Sequence, residues 1–379
     1  MKVVVATDSF KGCLSSLDAG LAIKRGILKV SSDAKVDVFP ISDGGEGLSQ
    51  ALEKHFETEK KEIIVTGPDF IKVRAMYGLN LEKGLAVIEM ASAAGLPLVK
   101  GEKDPKSATT YGVGELINDA IDQGARKFII GIGGSATNDG GMGMLSALGF
   151  GFLDQDGNKV PPTPLGLKDL VSIDLSHVRK ELNECSFTVA CDVDIPLCGA
   201  NGCSRIFGPQ KGANPKDIED MDSWLLKYAE MTKEIYPEAD KDVPGSGAAG
   251  GMGFALRSYL GALLKPGIDI AITETGLEEK IAQADFVVTG EGRIDGQTVM
   301  GKVVSGVAKV AKRYGKPVAA VCGSVSQDAI LQDVDIILPI TPGPMTLEEA
   351  MKPDVALGNL ERTAKQAFEL INIGRKAVP

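Results

Sequence analysis

The chain has few histidines and few aromatic side chains. Its 379 residues include two histidines and one tryptophan, and Phe, Trp and Tyr together make up 5%. His55 and His177 each lie in a polar stretch that is typical of a protein surface. Catalysis or metal binding through imidazole is therefore not favoured. We expect the reactive groups to be carboxylates and cations.

Long hydrophobic runs are also missing. No apolar stretch approaches the roughly 18 residues that a membrane helix needs. The apolar run that follows Lys2 ends at Asp8, which makes it too short for the core of a secretory signal. The sequence therefore predicts a cytoplasmic protein without a membrane partner.

Positive charge is in deficit. The chain has 41 Lys and Arg against 51 Asp and Glu, which gives a formal net charge of −10. A protein that binds nucleic acid usually presents a basic patch, so nucleic acid is not an expected partner. An anionic small ligand would need a local group of cations.

The six cysteines follow no metal-binding or redox spacing. Four of them lie between residues 185 and 203, but no CxxC pair occurs. We expect free thiols, most of them buried.

The sequence does contain a repeated alternation of short β-branched runs, Gly-rich or polar loops, and helical patterns. This alternation is typical of βαβ units and predicts an α/β fold, with a Rossmann-like three-layer domain built on a parallel sheet. The runs lie at residues 2–6, 35–40, 127–130, 187–190, 285–290 and 317–323.

The middle of the chain departs from this pattern. The segment around Asn80 predicts an antiparallel pair of strands, and a loop-rich stretch with one helix covers residues 200–250. A chain of this length also exceeds the usual size of one domain. We therefore predict a discontinuous Rossmann-like domain formed by residues 1–67 and 285–379, with a second α/β domain, residues 68–284, inserted into it.

The stretch GIGGSATNDGGMGML, residues 131–145, contains the densest group of glycines. Backbone N–H groups of such a loop can surround phosphate, and a following helix would add its positive end. Two other interpretations stay open. Residues 131–136 fit the dinucleotide pattern GxGxxA, although residues 245–250 fit GxGxxG without a preceding strand, and the loop could also be purely structural.

Other strand-ending loops carry charged side chains. ISDGGEG offers Asp43 and Glu46, which could bind Mg²⁺ or a sugar hydroxyl, and CDVDIP offers Asp192. The remaining candidates come from DSFKG, FGPQKGA and GEGRID: Ser9, Lys11, Lys211, Glu291, Arg293 and Asp295. Because ligands of parallel sheets bind at the carboxyl ends of the strands, we expect these loops to form one cleft.

Residues 296–302, GQTVMGK, nearly match a P-loop. Val303 stands where a P-loop has the Mg²⁺-binding Ser or Thr, so we interpret this match as coincidental.

Taken in order, seven motifs resemble those of the bacterial-type glycerate kinase family. The resemblance covers residues 7 to about 323 and implies two α/β domains, one of them discontinuous. It also implies ATP-dependent phosphorylation of D-glycerate at the 2-hydroxyl, giving 2-phosphoglycerate. The motifs are DSFKG, SDGGEG, GIGGSATNDGGMGML, CDVDIPL, FGPQKGA, PGSGAAGGMG and GEGRIDGQT.

Phosphoryl transfer requires a base, charge neutralisation and positioning of both reactants. Our candidate base is Asp192, with Asp43 as its rival or a metal ligand, and Lys11 and Lys211 would offset charge on the transferring group. We expect Arg293 to pair with the glycerate carboxylate, beside Ser9, Glu291 and Asp295. ATP phosphates would contact Gly133, Gly134, Ser135, Thr137 and Asn138, and Mg²⁺ would contact Asp139 and Glu46.

The sequence leaves some alternatives open. A glycerate 3-kinase or a kinase of another small hydroxy acid or sugar acid would use the same groups. A nicotinamide-dependent dehydrogenase and a non-catalytic sugar-acid-binding protein are less favoured. The sequence also leaves open whether the chain forms a homodimer.

Overall fold

The computed structural model describes residues 1–41, 52, 55–296, 303–327, 329 and 331–377, with side chains as far as residue 374. The chain separates into two compact units. The first unit comprises Met1–Asp43 and Ile268–Pro379, and the second comprises Gly44–Gly267. Within the described ranges, none of the helices has the length and apolar character needed to cross a membrane.

The elements alternate along much of the chain. The strands are β1 Lys2–Thr7, β2 Lys35–Pro40, β3 Glu59–Thr66, β4 Lys72–Asn80, β5 Leu85–Glu89, β6 Lys127–Gly131, β7 Gly151–Leu153, β8 Ser172–Asp174, β9 Ser186–Ala190, β10 Leu263–Lys265, β11 Phe286–Ile294, β12 Val318–Val325 and β13 Ile336–Pro339. The α-helices are α1 Ser16–Leu28, α2 Ala91–Ala94, α3 Tyr111–Asp122, α4 Met142–Ala147, α5 Pro164–Asp169, α6 Cys203–Phe207, α7 Pro215–Ile235, α8 Ala248–Leu260, α9 Gly267–Glu274, α10 Leu277–Gln283, α11 Val303–Arg313, α12 Leu347–Ala350 and α13 Pro353–Ala377. Short 3₁₀ turns occupy Leu96–Leu98, Lys180–Glu184 and Pro209–Lys211.

The first unit is a three-layer α/β structure. Its five strands follow the order β13-β12-β11-β1-β2, and each neighbouring pair is parallel. Helices α1 and α13 pack on one face through Ile23, Ile27 and Phe368, whereas α10 and α11 pack on the other through Ile281 and Val307. The α/β prediction with a parallel sheet is therefore confirmed.

Helix α1 begins at a side-chain cap. Ser15 Oγ accepts a hydrogen bond from the N–H of Asp18 at 3.1 Å, which satisfies one of the unpaired donors of the first turn. A Cβ on Gly26 would lie 2.3 Å from the carbonyl oxygen of Glu361. The backbones of α1 and α13 are therefore in direct contact, and only glycine fits at this position.

The second unit contains a mixed six-stranded sheet with the order β10-β9-β6-β5-β4-β3. Strands β10, β9, β6 and β5 are parallel, whereas β4 runs antiparallel to both β5 and β3. The predicted antiparallel pair around Asn80 is thus confirmed, with Tyr77 opposite Ile88. The core of this unit includes the stacked rings of Phe128 and Phe187, whose centroids are 4.9 Å apart.

The unit boundaries lie earlier than the sequence predicts, at Gly44 instead of residue 68 and at Ile268 instead of residue 285. Strand β3 pairs along its length with β4, so residues 59–66 belong to the second sheet. At the other end, Ile272 and Ile281 pack with Val287 in the core of the first unit. The helices that precede β11 are therefore part of the first unit.

The expected surface histidines and free cysteines are confirmed, but three of the six cysteines, Cys13, Cys185 and Cys191, are only partly buried. Both histidines, His55 and His177, are exposed. All six cysteines are free, and Cys198, Cys203 and Cys322 are buried. Burial raises the pKa of Cys203 to about 12, which makes its thiol a poor nucleophile at neutral pH.

Candidate active site

A cavity of about 530 Å³ lies in the first unit, at the carboxyl ends of β1, β11, β12 and β13. Because these strands are parallel neighbours, the loops that follow them leave from the same edge of the sheet. The cavity brings together all five candidates from DSFKG and GEGRID: Ser9, Lys11, Glu291, Arg293 and Asp295.

Asp8, which is not among the site residues predicted from the sequence, also lines this cavity. Asp8 is only 2% exposed, and its Oδ1 accepts a hydrogen bond from the N–H of Ser9 at 2.6 Å. Its own N–H donates to the carbonyl oxygen of Gly290 on the neighbouring strand at 2.9 Å. The signal that could have found it is a carboxylate placed directly after a buried parallel strand.

The charged side chains of the cavity differ in their exposure to solvent. Asp8 and Glu291 are buried, whereas Lys11 is exposed and the Arg293 side chain is 70% exposed. Arg293 Nε lies 3.5 Å from Asp295 Oδ2. An anion that enters this cavity would therefore meet the exposed cations first, with buried carboxylates behind them.

The Gly-rich stretch of the second unit follows β6 and is bound by Lys211. The Lys211 Nζ donates to Ser135 Oγ at 2.8 Å and to the carbonyl oxygen of Thr137 at 2.6 Å. Lys211 is 2% exposed, and burial lowers its pKa to about 8, against the opposing effects of Cys203 and Asp139. Lys211, Ser135 and Thr137, all predicted site residues, therefore lie together. The ammonium group of Lys211 donates its hydrogen bonds to the loop.

The residues of this loop differ in their access to a ligand. Gly134 is exposed and Gly133 is half-buried, whereas Ser135, Thr137 and Asn138 are buried. Asn138 Nδ2 donates to Ser204 Oγ at 2.8 Å, so its side chain is used inside the unit. Only the first part of the loop is open to phosphate.

The second part of the loop packs against the other glycine-rich segment, residues 245–251. The N–H of Gly140 donates to the carbonyl oxygen of Gly250 at 2.9 Å. A Cβ on Gly250 would lie 2.1 Å from the carbonyl oxygen of Thr137, and the φ of Gly250 is +67°. These glycines are therefore required for close backbone packing, which favours the structural interpretation here.

Asp139 does not suit the metal-binding role that the sequence suggested. It is fully buried, and its Oδ2 accepts from the Thr110 N–H at 2.8 Å, the Thr110 hydroxyl at 2.7 Å and the Gly143 N–H at 3.1 Å. Its Oδ1 accepts from the Gly141 N–H at 3.1 Å. Burial raises the pKa of Asp139, although these hydrogen bonds oppose the shift. The carboxylate organises the loop and the start of α4.

Asp192 is exposed just beyond the end of β9. Its Oδ1 accepts a hydrogen bond from the N–H of Gly267 at 3.0 Å. Strand β9 is parallel to β6 and pairs with it through Ala190 and Gly131. Asp192 and the Gly-rich loop therefore leave the sheet from the same edge.

Two predicted residues, Asp43 and Glu46, lie outside the described residues, as does most of the near-P-loop at 296–302. Among the residues that are described, no group of three or more His, Cys, Asp or Glu side chains is placed to bind a metal ion.

The sequence and fold are similar to those of known kinases. The model of the glycerate kinase family matches residues 3–372. "Glycerate 2-kinase" of Escherichia coli (strain K12) is 44% identical over 99% of both chains, and "Glycerate kinase" of Bacillus subtilis (strain 168) is 45% identical with the same coverage. A crystal structure assigned provisionally to glycerate kinase 2 of Salmonella typhimurium LT2 superimposes with a TM-score of 0.91, at 43% identity over 99% of both chains. The chain therefore belongs to the glycerate kinase family and is a kinase.

Proposed function

We propose that the protein transfers the γ-phosphoryl group of ATP to the 2-hydroxyl of D-glycerate, giving 2-phosphoglycerate and ADP. The observation that carries this proposal is the cavity of the first unit, where five charged side chains lie at the ends of two adjacent strands. The E. coli relative named as a 2-kinase supports the position of phosphorylation. Its two cations, Lys11 and Arg293, can pair with a carboxylate or a phosphate.

The substrate acid is assigned to the exposed cations of this cavity. Arg293 has a planar guanidinium that can pair with a carboxylate through two parallel hydrogen bonds. The Ser9 hydroxyl lines the same cavity and would contact a hydroxyl of glycerate. Lys11 would offset the negative charge of the transferring group. Glu291 and Asp295 would hold these cations in place by their charge.

The base is assigned to Asp192. The oxygen of the 2-hydroxyl forms a bond to the γ-phosphorus while its proton passes to the carboxylate, and ADP leaves with the electron pair of the broken bond. An exposed carboxylate at a strand end is accessible for this transfer. Asp43 is the rival and lies outside the described residues.

The phosphates of ATP are assigned to the open part of the Gly-rich loop. Gly133 and Gly134 would supply backbone N–H groups, whereas the buried Ser135 hydroxyl accepts a hydrogen bond from Lys211. The buried side chains of Thr137 and Asn138 then act as supports for the loop. Lys211, which contacts Ser135 and Thr137, would hold the loop in shape.

A magnesium ion fits the cavity better than it fits Asp139. Mg²⁺ in kinases is held mainly by nucleotide phosphates, with one or two carboxylates and water. Asp8, Glu291 and Asp295 offer carboxylates in the cavity, whereas the oxygens of Asp139 accept four internal hydrogen bonds. When bound, the ion would neutralise charge on the phosphates.

The test measures both ADP release and the identity of the product. With ATP and Mg²⁺ present, we expect ADP to form only when D-glycerate is added. Phosphorus NMR of the product then identifies the phosphorylated carbon. A signal from 3-phosphoglycerate would identify a glycerate 3-kinase. Absence of D-glycerate-dependent ADP, with turnover of another small hydroxy acid, would replace the proposed substrate.

A further inference from the structure

The cavity of the first unit is divided into a charged end and an uncharged end. All five charged lining residues come from the loops after β1 and from the end of β11. The described lining residues from β12, β13, α12, α13 and the loop before α12 carry no charge. The strand order β13-β12-β11-β1 places the loops after β12 and β13 on one side of the cavity and the loops after β11 and β1 on the other.

The uncharged end is mainly apolar. Its walls include Ile340 after β13, Met345 and Leu347 around the start of α12, and Met351 just beyond α12. Thr346 and Asn359 add neutral hydrogen-bonding groups. Apolar walls with a few neutral polar groups are typical of small-molecule binding sites.

Two of these side chains are unusually exposed for their type. Leu347 is 77% exposed and Met351 is 36% exposed, although both are large and apolar. A Cβ on Gly12 would lie 3.2 Å from the Met351 methyl carbon, so Met351 lies over the loop that carries Lys11. Met351 therefore extends the apolar wall to the loop that carries Lys11.

The cavity is also larger than the space that glycerate alone would occupy. A cavity of about 530 Å³ lies in the range of roughly 300–1000 Å³ that encloses drug-sized ligands. A three-carbon acid would fill only the charged end, near Arg293. The remaining space is both large and uncharged, which suits a neutral planar group attached to a polyanion.

We infer that the uncharged end binds the adenine of ATP, with the base between the β13 side and the residues around α12. This inference rests on the proposed function, because that function supplies ATP as the phosphoryl donor. The polarizable thioethers of Met345 and Met351 make favourable contacts with aromatic rings. The amide of Asn359 can pair with ring nitrogen atoms. The γ-phosphoryl group would then lie toward Lys11, which is assigned to offset its charge.

The first experiment measures binding of ATP and of adenosine by titration calorimetry. The double variant Leu347→Ala with Met351→Ala removes two exposed side chains, so it costs little packing within the fold. We expect the Kd of both ligands to rise by about tenfold or more. The KM for D-glycerate should stay within twofold. The matched control is Leu370→Ala, an exposed leucine of α13 outside the cavity lining, which should change neither Kd.

The second experiment uses the unmodified protein. It is irradiated with 8-azido-ATP, digested and analysed by mass spectrometry. We expect the label on peptides that cover residues 340–359, and excess ATP should prevent it. Labelling of residues 131–141 instead, or an unchanged Kd in the double variant, would overturn the adenine site.

The outcomes separate this inference from the proposed function. If D-glycerate-dependent ADP release is observed but the label lies elsewhere, the function stands and the adenine site is rejected. If the label lies on residues 340–359 and no D-glycerate-dependent ADP appears, the adenine site stands and the proposed substrate is rejected.

Discussion

The ammonium nitrogen of Lys211 lies 2.6 Å from the carbonyl oxygen of Thr137, and both residues are buried. The sequence suggested that Lys211 offsets charge on the transferring group. Its contacts instead assign it to the Gly-rich loop, where it binds a backbone carbonyl and the Ser135 hydroxyl. Lys211 therefore controls the shape of this loop.

Lys211→Met should lower the free energy of unfolding by about 1–3 kcal/mol, because the buried Thr137 carbonyl loses its donor. Urea denaturation measures this change. The matched control is Lys216→Met, which removes an exposed lysine paired with Asp220 and should change stability by less than about 1 kcal/mol. Equal effects of the two substitutions would contradict the role of Lys211.

The pH dependence of stability should also differ between the native protein and Lys211→Met. The pKa of Lys211 is about 8 in the folded protein, below its ordinary value of 10.5. Between these values the unfolded chain binds more protons than the folded one, so this group makes the native protein more stable as pH rises from about 8 to 10.5. Denaturation at several pH values measures the difference. Parallel curves for both proteins would show that Lys211 titrates normally.

Asp139→Asn should destabilise the protein and should leave its Mg²⁺ requirement unchanged. An amide that replaces the carboxylate places an N–H donor opposite other donors, and we expect a loss of about 2–4 kcal/mol. Thermal unfolding measures the loss. Asp156→Asn, at a residue exposed in a turn, serves as the control. A shifted Mg²⁺ dependence at normal stability would restore Asp139 as a metal ligand.

Arg293→Lys should raise the KM for D-glycerate by about tenfold, because lysine cannot pair with a carboxylate through two parallel hydrogen bonds. The KM for ATP should change less. Steady-state kinetics with each substrate varied in turn measures both values. Arg74→Lys, at an exposed arginine paired with Glu62, is the control. An unaltered KM for glycerate would move the carboxylate site away from Arg293.

Asp192→Asn should lower kcat by about 10²–10⁴, with a modest change in KM, if this carboxylate takes the proton of the hydroxyl. Asp194→Asn is a close control, since Asp194 is exposed in the same loop. Near-normal turnover of Asp192→Asn would reject this role and would favour Asp43 or a carboxylate of the cavity.

Much of the fold could be predicted from local patterns. Short β-branched runs followed by Gly-rich loops identified β1, β6, β9 and β11, because parallel strands buried on both faces are nearly continuous apolar runs. The same reasoning brought Ser9, Lys11 and Arg293 to one cavity, since adjacent parallel strands end at a common edge. Strand β3 was not predicted, because its first residues, Glu59–Glu62, are charged and mostly exposed at the edge of the sheet.

Other features depend on tertiary packing that no local pattern carries. The sequence of the Gly-rich loop does not reveal that Asp139 accepts four hydrogen bonds, or that residues 245–251 pack against the loop. The uncharged end of the cavity is formed partly by α12 and α13, where ordinary hydrophobic residues follow no motif. Whether each of these side chains supports the fold or faces the cavity depends on tertiary packing.

The pairing of β1 with β11 has a consequence for the way the chain is made. Val3 lies opposite Phe286, and Gly26 of α1 touches Glu361 of α13, so both early elements contact segments that are synthesised after the whole second unit. The second unit, Gly44–Gly267, is complete before β11 leaves the ribosome. Its sheet can therefore form first, whereas β1 and the apolar face of α1 lack their partners until β11 and α13 have been synthesised. Because closing so long a loop is slow, we expect the first unit to fold after the second.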